Sequence, residues 1–323
     1  MKFTILMITL ALNTIGIVTH AKDYKTMDVI FPTLDVAGYP DLYVGSKTPN
    51  TKGIGRLYLP NGASKKTPAY IVFHGSGGAW DGHADVHGEF LAKNGITALV
   101  VDVYKSRKQF KTQGYTDRIR QTGTADYISD GIAALNWLAK SGFANPKNIN
   151  VTGYSAGGIT SVMLGAKNVL KSGLGTKFSF QNSISMYGLC ISFPKNHNFK
   201  DSNIYLLFGE KDESSPKKQC DEFEKNLQRQ GASVKSYWYP NAAHSWLSKK
   251  RRTKFVADAP NFGHCRFNIK PDGQVSEQNS GLVLHTDEQK MEVSKKCLKS
   301  GYTLGYNKSV SLSSMQLTVD IVK

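Results

Sequence analysis

Apolar residues fall in short, unbroken blocks along the first three quarters of the chain. Ala69-Tyr70-Ile71-Val72-Phe73 and Thr97-Ala98-Leu99-Val100-Val101 are the clearest, and 149–152 is also read as a strand. Blocks of this length, bounded by polar turns, predict strands buried on both faces. Further strands are predicted at 56–59, 184–187, 204–208 and 234–239, with the turn dipeptide Asn61-Gly62 after the first of these. Between the blocks the period changes. Ile128, Ile132, Leu135 and Leu138 recur at helical spacing within 125–140, and Gly142 stands just past the end. Helices are also predicted around 90–92, at 157–170, and at 216–230, where Gly231 is the stop. Strands alternating with helices of this length imply right-handed crossovers. The predicted class is α/β, a mostly parallel sheet covered by helices on both faces.

Both ends of the chain depart from this pattern. Met1-Lys2 is a short basic start, 3–18 is almost wholly apolar, and Thr19-His20-Ala21 supplies small residues before Lys22. This is the layout of a secretory signal over 1–21, and it predicts a secreted or periplasmic protein. The run is short for a membrane span, so no stable membrane insertion is expected after its removal. Beyond 247 the chain carries the basic run Lys249-Lys250-Arg251-Arg252, then Lys254, read as a solvated loop. A hairpin over 267–275 around Pro271-Asp272-Gly273 and a helix over 286–298 are predicted there. The domain reading is therefore a main domain over 22–247, with a small C-terminal extension over 248–323 packed on it.

Composition narrows the class without changing it. The 323 residues suffice for one large core, and 40% hydrophobic against 20% charged residues excludes a disordered chain. Lys plus Arg is 41 and Asp plus Glu 25, so the net charge is +16, and losing Lys2 with the signal leaves +15. Such a balance attracts anionic surfaces but says nothing of fold. No phosphate-binding loop, dinucleotide fingerprint or nucleic-acid module is visible, so neither a nucleotide cofactor nor a nucleic-acid partner is expected. His83 and His87 stand four apart but lack the glutamate of a metalloprotease helix. They are read as a solvated helix start, with no metal expected.

Four cysteines, Cys190, Cys220, Cys265 and Cys297, have no C-x-x-C spacing, which argues against zinc or a redox motif. In an oxidising compartment they predict disulfides, with three connectivities open. Cys190 follows one strand and Cys220 opens the helix after a neighbouring strand, whereas Cys265 and Cys297 both belong to the extension. The predicted pairs are Cys190–Cys220 and Cys265–Cys297.

The strongest chemical signal is Gly153-Tyr154-Ser155-Ala156-Gly157-Gly158. A G-x-S-x-G sequence between a buried strand and a helix presents a serine on a sharp turn. Serine needs a base, and the base an orienting carboxylate. Asp212, after the strand at 204–208, is the predicted acid, in preference to Glu210 and Glu213. His244, 32 residues further on and after the last strand, is the predicted base. The oxyanion donors are predicted to be the backbone N–H groups of Ala156 and of Ser76, in the loop His74-Gly75-Ser76-Gly77-Gly78. His74 itself is read as structural. Trp80 and Tyr104 lie on loops at the same edge and are candidate pocket residues.

Ser155, Asp212 and His244 in this order, with the 74–78 loop, resemble the α/β-hydrolase superfamily. Gly209-Glu210-Lys211-Asp212, Ala242-Ala243-His244-Ser245-Trp246 and Asp102-Val103-Tyr104 are similar to the dienelactone hydrolase family within it. The resemblance covers about 50–247, and the cysteine-containing C-terminal segment resembles extensions on some members. The founding members use a cysteine nucleophile where this chain has Ser155. That departure points to the esterase-like and peptidase-like relatives. The resemblance implies a serine carboxylic-ester hydrolase needing no cofactor and acting on a small-molecule or polymeric ester. A peptidase or acyltransferase with the same residues, and a non-catalytic binding protein on this fold, are the alternatives. Oligomeric state is not legible.

Overall fold

The computed structural model describes residues 23–285 and 287–323. The predicted signal segment lies outside the described residues. Thirteen strands occur among those described: β1 Tyr24–Thr33, β2 Thr51–Pro60, β3 Ala69–Phe73, β4 Thr97–Val101, β5 Ile149–Tyr154, β6 Asn182–Met186, β7 Ser192–Pro194, β8 Asn203–Gly209, β9 Ser233–Tyr239, β10 Lys254–Asn261, β11 Phe267–Ile269, β12 Val275–Glu277 and β13 Lys299–Leu304. The helices are α1 Tyr39–Val44, α2 His83–Lys93, α3 Val103–Ser106, α4 Tyr115–Gln121, α5 Thr124–Lys140, α6 Ala156–Met163, α7 Lys217–Arg229, α8 Asp287–Cys297 and α9 Lys308–Asp320.

Eight strands form the central sheet in the order β1-β2-β4-β3-β5-β6-β8-β9. The pairs β1–β2 and β2–β4 are antiparallel and the rest parallel, so the sheet is mostly parallel as expected. β3, β4 and β5 are buried at every position, which is why β3 and β4 read as continuous apolar blocks; in β5 the buried Asn150 and Thr152 interrupt the run. Asn61-Gly62 does turn the chain, but β2 and β3 are not neighbours, because β4 inserts between them. One core cluster holds α5 with Val162 and Met163 of α6 and Phe223 and Leu227 of α7. A second cluster puts Ala84 and Leu91 of α2 beside Val310, Met315 and Val319 of α9. The chain thus covers both faces, in the α/β-hydrolase arrangement.

Some elements differ from the sequence reading. β1 lies in a segment that alternation did not reveal, because an edge strand exposes Lys25, Thr26, Met27 and Asp28 in succession. The helix expected over 157–170 stops at Met163, where Gly165 and Ala166 N–H groups donate to the carbonyls of Val162 and Met163 in tightened turns. Strand β6 ends at Met186, since Tyr187 adopts φ 41°. β10, β13 and α9 were not read from the sequence either. The hairpin around Pro271-Asp272-Gly273 is present, and its β11 strand also pairs in parallel with β7 of the body. Two disulfides join Cys190 to Cys220 and Cys265 to Cys297. Gln219 Nε2 donates to the carbonyls of both Cys190 and Cys265, so one side chain links the two bridged regions.

A buried charge cluster ties α5 to the loop after β1. Arg107 Nε donates to Asp126 Oδ1 at 2.7 Å and its Nη1 to Asp130 Oδ2 at 2.9 Å, while Nη2 donates to the Leu34 carbonyl. Burial pushes the Asp126 carboxyl up to about 6 even with Arg107 beside it, and pushes Asp130 up as well.

Candidate active site

In an open α/β sheet the carboxyl ends of parallel strands converge on one crevice, and four such ends build this site. Ser155 follows β5 directly. It sits at φ 51°, ψ −110°, a sparsely populated conformation of the order of 1–3 kcal/mol above an ordinary one. The turn is held from both sides, by Ser155 N–H donating to the Met186 carbonyl and by the first helical bond from Ile159 N–H to the Ser155 carbonyl. The flanking glycines are required by close approach. A Cβ at Gly153 would lie 2.3 Å from the Gly157 carbonyl oxygen, and one at Gly157 would lie 2.7 Å from the carbonyls of Phe73 and His74.

The loop after β3 passes alongside this turn, close enough that a Cβ at Gly75 would sit 3.3 Å from Ser155 Cβ. His74 is fully buried and is held neutral, because burial depresses its pKa more than Asp102 and the other partners raise it. Its Nε2 accepts the Val103 N–H at 3.1 Å, which leaves the Nδ1 proton to be donated to the Gly75 carbonyl at 2.7 Å. In a trans peptide the N–H points opposite to the C=O, so this contact turns the Ser76 N–H away from His74. His74 is a brace for the loop, as the sequence suggested. Ser76 Oγ is bonded to Tyr115 Oη at 2.9 Å, and Tyr104 Oη donates to the Ser76 carbonyl at 3.1 Å. The Ala156 N–H belongs to the first residue of α6, where the helix itself supplies no acceptor.

Asp212 lies on the loop after β8 and His244 on the loop after β9, and both are buried. Asp212 Oδ2 is 2.8 Å from His244 Nδ1. Its other oxygen, Oδ1, accepts Ser214 N–H at 3.0 Å and Ser214 Oγ–H at 2.5 Å. The two loops are pinned together by Lys211 N–H donating to the Ala242 carbonyl. Glu210 and Glu213, the carboxylates set aside in the sequence reading, are exposed. Glu213 instead accepts Thr303 N–H at 2.7 Å and Thr303 Oγ–H at 2.9 Å from β13.

That contact belongs to a clamp which sequence reasoning missed. His244 forms a parallel bridge with Leu304, His244 N–H donating to the Thr303 carbonyl and Gly305 N–H to the His244 carbonyl. The imidazole is wedged between the rings of Tyr187 at 5.1 Å and Tyr302 at 5.3 Å, both edge-on. The signal for β13 in the sequence is weak, a short polar stretch with one glycine, and its partner is 60 residues away.

Ser76, Tyr104, Ser155, Ala156, Ser214 and His244 line one cavity of about 600 Å3. Trp80 is not among its lining residues. It stacks behind Tyr104 at 5.7 Å between ring centres, so the two loop aromatics expected to line a pocket divide into a wall and its backing. The paired histidines of α2 also differ from expectation, since neither is solvated. His87 Nε2 is 2.9 Å from Thr318 Oγ1 of α9, and burial lowers His83 to about 4 and His87 to about 3. Among the described residues no group of three or more His, Cys, Asp or Glu is placed to hold a metal ion. Nor is any described helix long and apolar enough to cross a membrane.

Comparisons with known proteins agree with this architecture. A curated relative, dipeptidyl peptidase 4 of Bos taurus, is 27% identical over 150 residues. The match covers 40% of this chain and 20% of that protein, so the chain spans about a fifth of the relative's length. Among solved structures, a dienelactone hydrolase described as putative, from Klebsiella pneumoniae, superposes with a TM-score of 0.52 at 17% identity, over 70% of this chain and 90% of that one. A dienelactone hydrolase-like promiscuous phosphotriesterase from metagenomic libraries gives the same TM-score at 19% identity, over 68% and 84%. At these identities the likeness is one of fold. The model of the dienelactone hydrolase family matches residues 54–265, from β2 through the loops that carry Ser155, Asp212 and His244 to the first extension cysteine. With about two thirds of its length matched in this way, the chain belongs to the dienelactone hydrolase family.

Proposed function

We propose that the protein is a serine carboxylic-ester hydrolase working through an acyl-enzyme. Ser155 Oγ attacks the ester carbonyl as His244 Nε2 takes its proton. Asp212 holds the proton of His244 on Nδ1, which leaves Nε2 free to accept, and it stabilises the imidazolium that forms. The tetrahedral oxyanion is received by the N–H groups of Ser76 and Ala156. His244 then gives its proton to the departing alkoxide, and water resolves the acyl-serine by the same steps. The observation that carries this reading is the buried 2.8 Å Asp212–His244 bond, with His244 and a serine held at φ 51° lining one cavity.

The local similarity to dipeptidyl peptidase 4 favours a second reading, a peptidase with the same residues. The decisive experiment compares p-nitrophenyl esters with peptide p-nitroanilides on the wild type and on Ser155→Ala. Ester turnover that vanishes in a folded Ser155→Ala protein supports the proposal. Preference for the anilides would replace it with the peptidase reading, and retained activity would remove Ser155 as nucleophile. Two disulfides fit an oxidising compartment, and with them we place the protein's work outside the cytoplasm, in a secreted or periplasmic setting.

A further inference from the structure

The cavity has a second wall that the reaction does not use. Residues 260–302 contribute Pro260, Phe262, Phe267, Leu284 and Tyr302, so the C-terminal segment closes one side. Phe262, Phe267 and Leu284 pack in turn on Cys265, Val293 and Cys297, a small core stapled by the second disulfide. Tyr302 carries the wall up to the edge of the His244 ring. The wall is therefore firmly backed and reaches the reacting groups.

Its charge is unlike that of the rest of the molecule. The chain carries 41 Lys and Arg, yet among the described residues no lysine or arginine lines this cavity. The single lining carboxylate, Asp41, is turned to its own backbone and accepts the Ala37 N–H at 3.0 Å. Arg118 lies one layer back, its guanidinium 5.9 Å from the Tyr104 ring centre and 5.2 Å from that of Trp80, donating to the carbonyls of Lys111 and Gln113. A carboxylate entering the cavity would lose its water and meet no lysine or arginine, only the imidazoles of His244 and His285. An uncharged apolar group would gain about fourfold in affinity for each buried methylene.

We infer that this cavity selects esters carrying a bulky, uncharged aromatic or aliphatic group, seated on the wall of Phe262, Phe267, Leu284 and Tyr302, and rejects esters with a carboxylate at that place. The inference rests on the hydrolase reading and names its substrate class. Which side of the ester occupies the wall follows from the test, which has two arms. One varies the acyl group of p-nitrophenyl esters from acetyl through butyryl and hexanoyl to 3-phenylpropanoyl. The other varies the alcohol of acetate esters from ethyl to naphthyl. In one arm kcat/KM should rise at least tenfold with bulk. Replacing the terminal methyl of hexanoyl by a carboxylate should lower it at least a hundredfold if the acyl arm shows the rise, and naphthyl acetate should lose as much on carboxylation if the alcohol arm does.

Phe262→Ala and Leu284→Ala should each cut the ratio of bulky to acetyl turnover fivefold or more. A flat or falling profile in both arms would overturn the inference. So would equal use of the carboxylated ester, above all if Arg118→Gln then abolished it. Calorimetry on Ser155→Ala separates this from the hydrolase reading. That protein should bind methyl 3-phenylpropanoate if the acyl arm shows the rise, or naphthyl acetate if the alcohol arm does, and should not bind the same ester carrying a carboxylate on its bulky group. Binding without turnover by the wild type refutes the hydrolase reading alone, and no binding of the neutral ester refutes the substrate class.

Discussion

Replacing Asp212 by asparagine tests the acid assignment through hydrogen-bond geometry. Oδ1 of Asp212 accepts two donors from Ser214, the backbone N–H at 3.0 Å and the hydroxyl at 2.5 Å. The backbone N–H can only donate, so the asparagine must keep its oxygen there and turn its NH2 towards His244 Nδ1. Nδ1 then has to accept, the imidazole proton moves to Nε2, and the nitrogen proposed as the base for Ser155 can no longer take a proton. A wrong tautomer in an otherwise intact Ser-His-Asp arrangement costs about 10⁴ in kcat, equivalent to about 5 kcal/mol of barrier. Glu213→Gln is the matched control, because Glu213 touches β13 and not the imidazole. It should cost about tenfold or less. The assay is kcat/KM on a p-nitrophenyl ester, with circular dichroism to establish that both variants fold. Asp212→Asn within tenfold of wild type would refute the reasoning, and an inactive Glu213→Gln beside it would make Glu213 the acid.

Arg107→Met leaves the buried carboxylates of Asp126 and Asp130 without their cation and should lower stability by about 3–5 kcal/mol in urea denaturation; a loss below about 1 kcal/mol would show that the cluster is not desolvated. Burial raises Asp126 to about 6 from an unfolded value of about 3.9, so the folded state binds its proton more tightly. The contribution is full below about pH 4 and is lost as pH rises through about 6. Relative to Asp126→Asn, the wild type should therefore lose about 3 kcal/mol over that window, and a constant difference between the two would contradict it. The disulfides close loops with sequence separations of 30 and 32, each worth about 3–4 kcal/mol by loop entropy. Non-reducing peptide mapping should return Cys190–Cys220 and Cys265–Cys297 alone, and a Cys220–Cys265 peptide would exclude the pairing.

Local sequence determined the inner strands and the turn around Ser155. β3 and β4 are apolar at consecutive positions because both of their faces are covered, and their limits are those the blocks predicted. The glycines around Ser155 are demanded by contacts within a few residues, so the motif and its geometry coincide. That Asp212 rather than its neighbours reaches His244 follows from the loop after β8, which leaves Glu210 and Glu213 exposed. Tertiary structure alone decided the edges. β1 survives with exposed polar residues because β2 satisfies its backbone, a partnership that composition does not record. His87 looks like a solvated residue until Thr318, 231 positions later, arrives to bond it. Glu213 became a strap for β13, and β13 a clamp on His244, through pairing that spans some 60 to 90 residues. Burial and charge at such places are set by which distant surface packs against them, and periodicity within a window cannot carry that information.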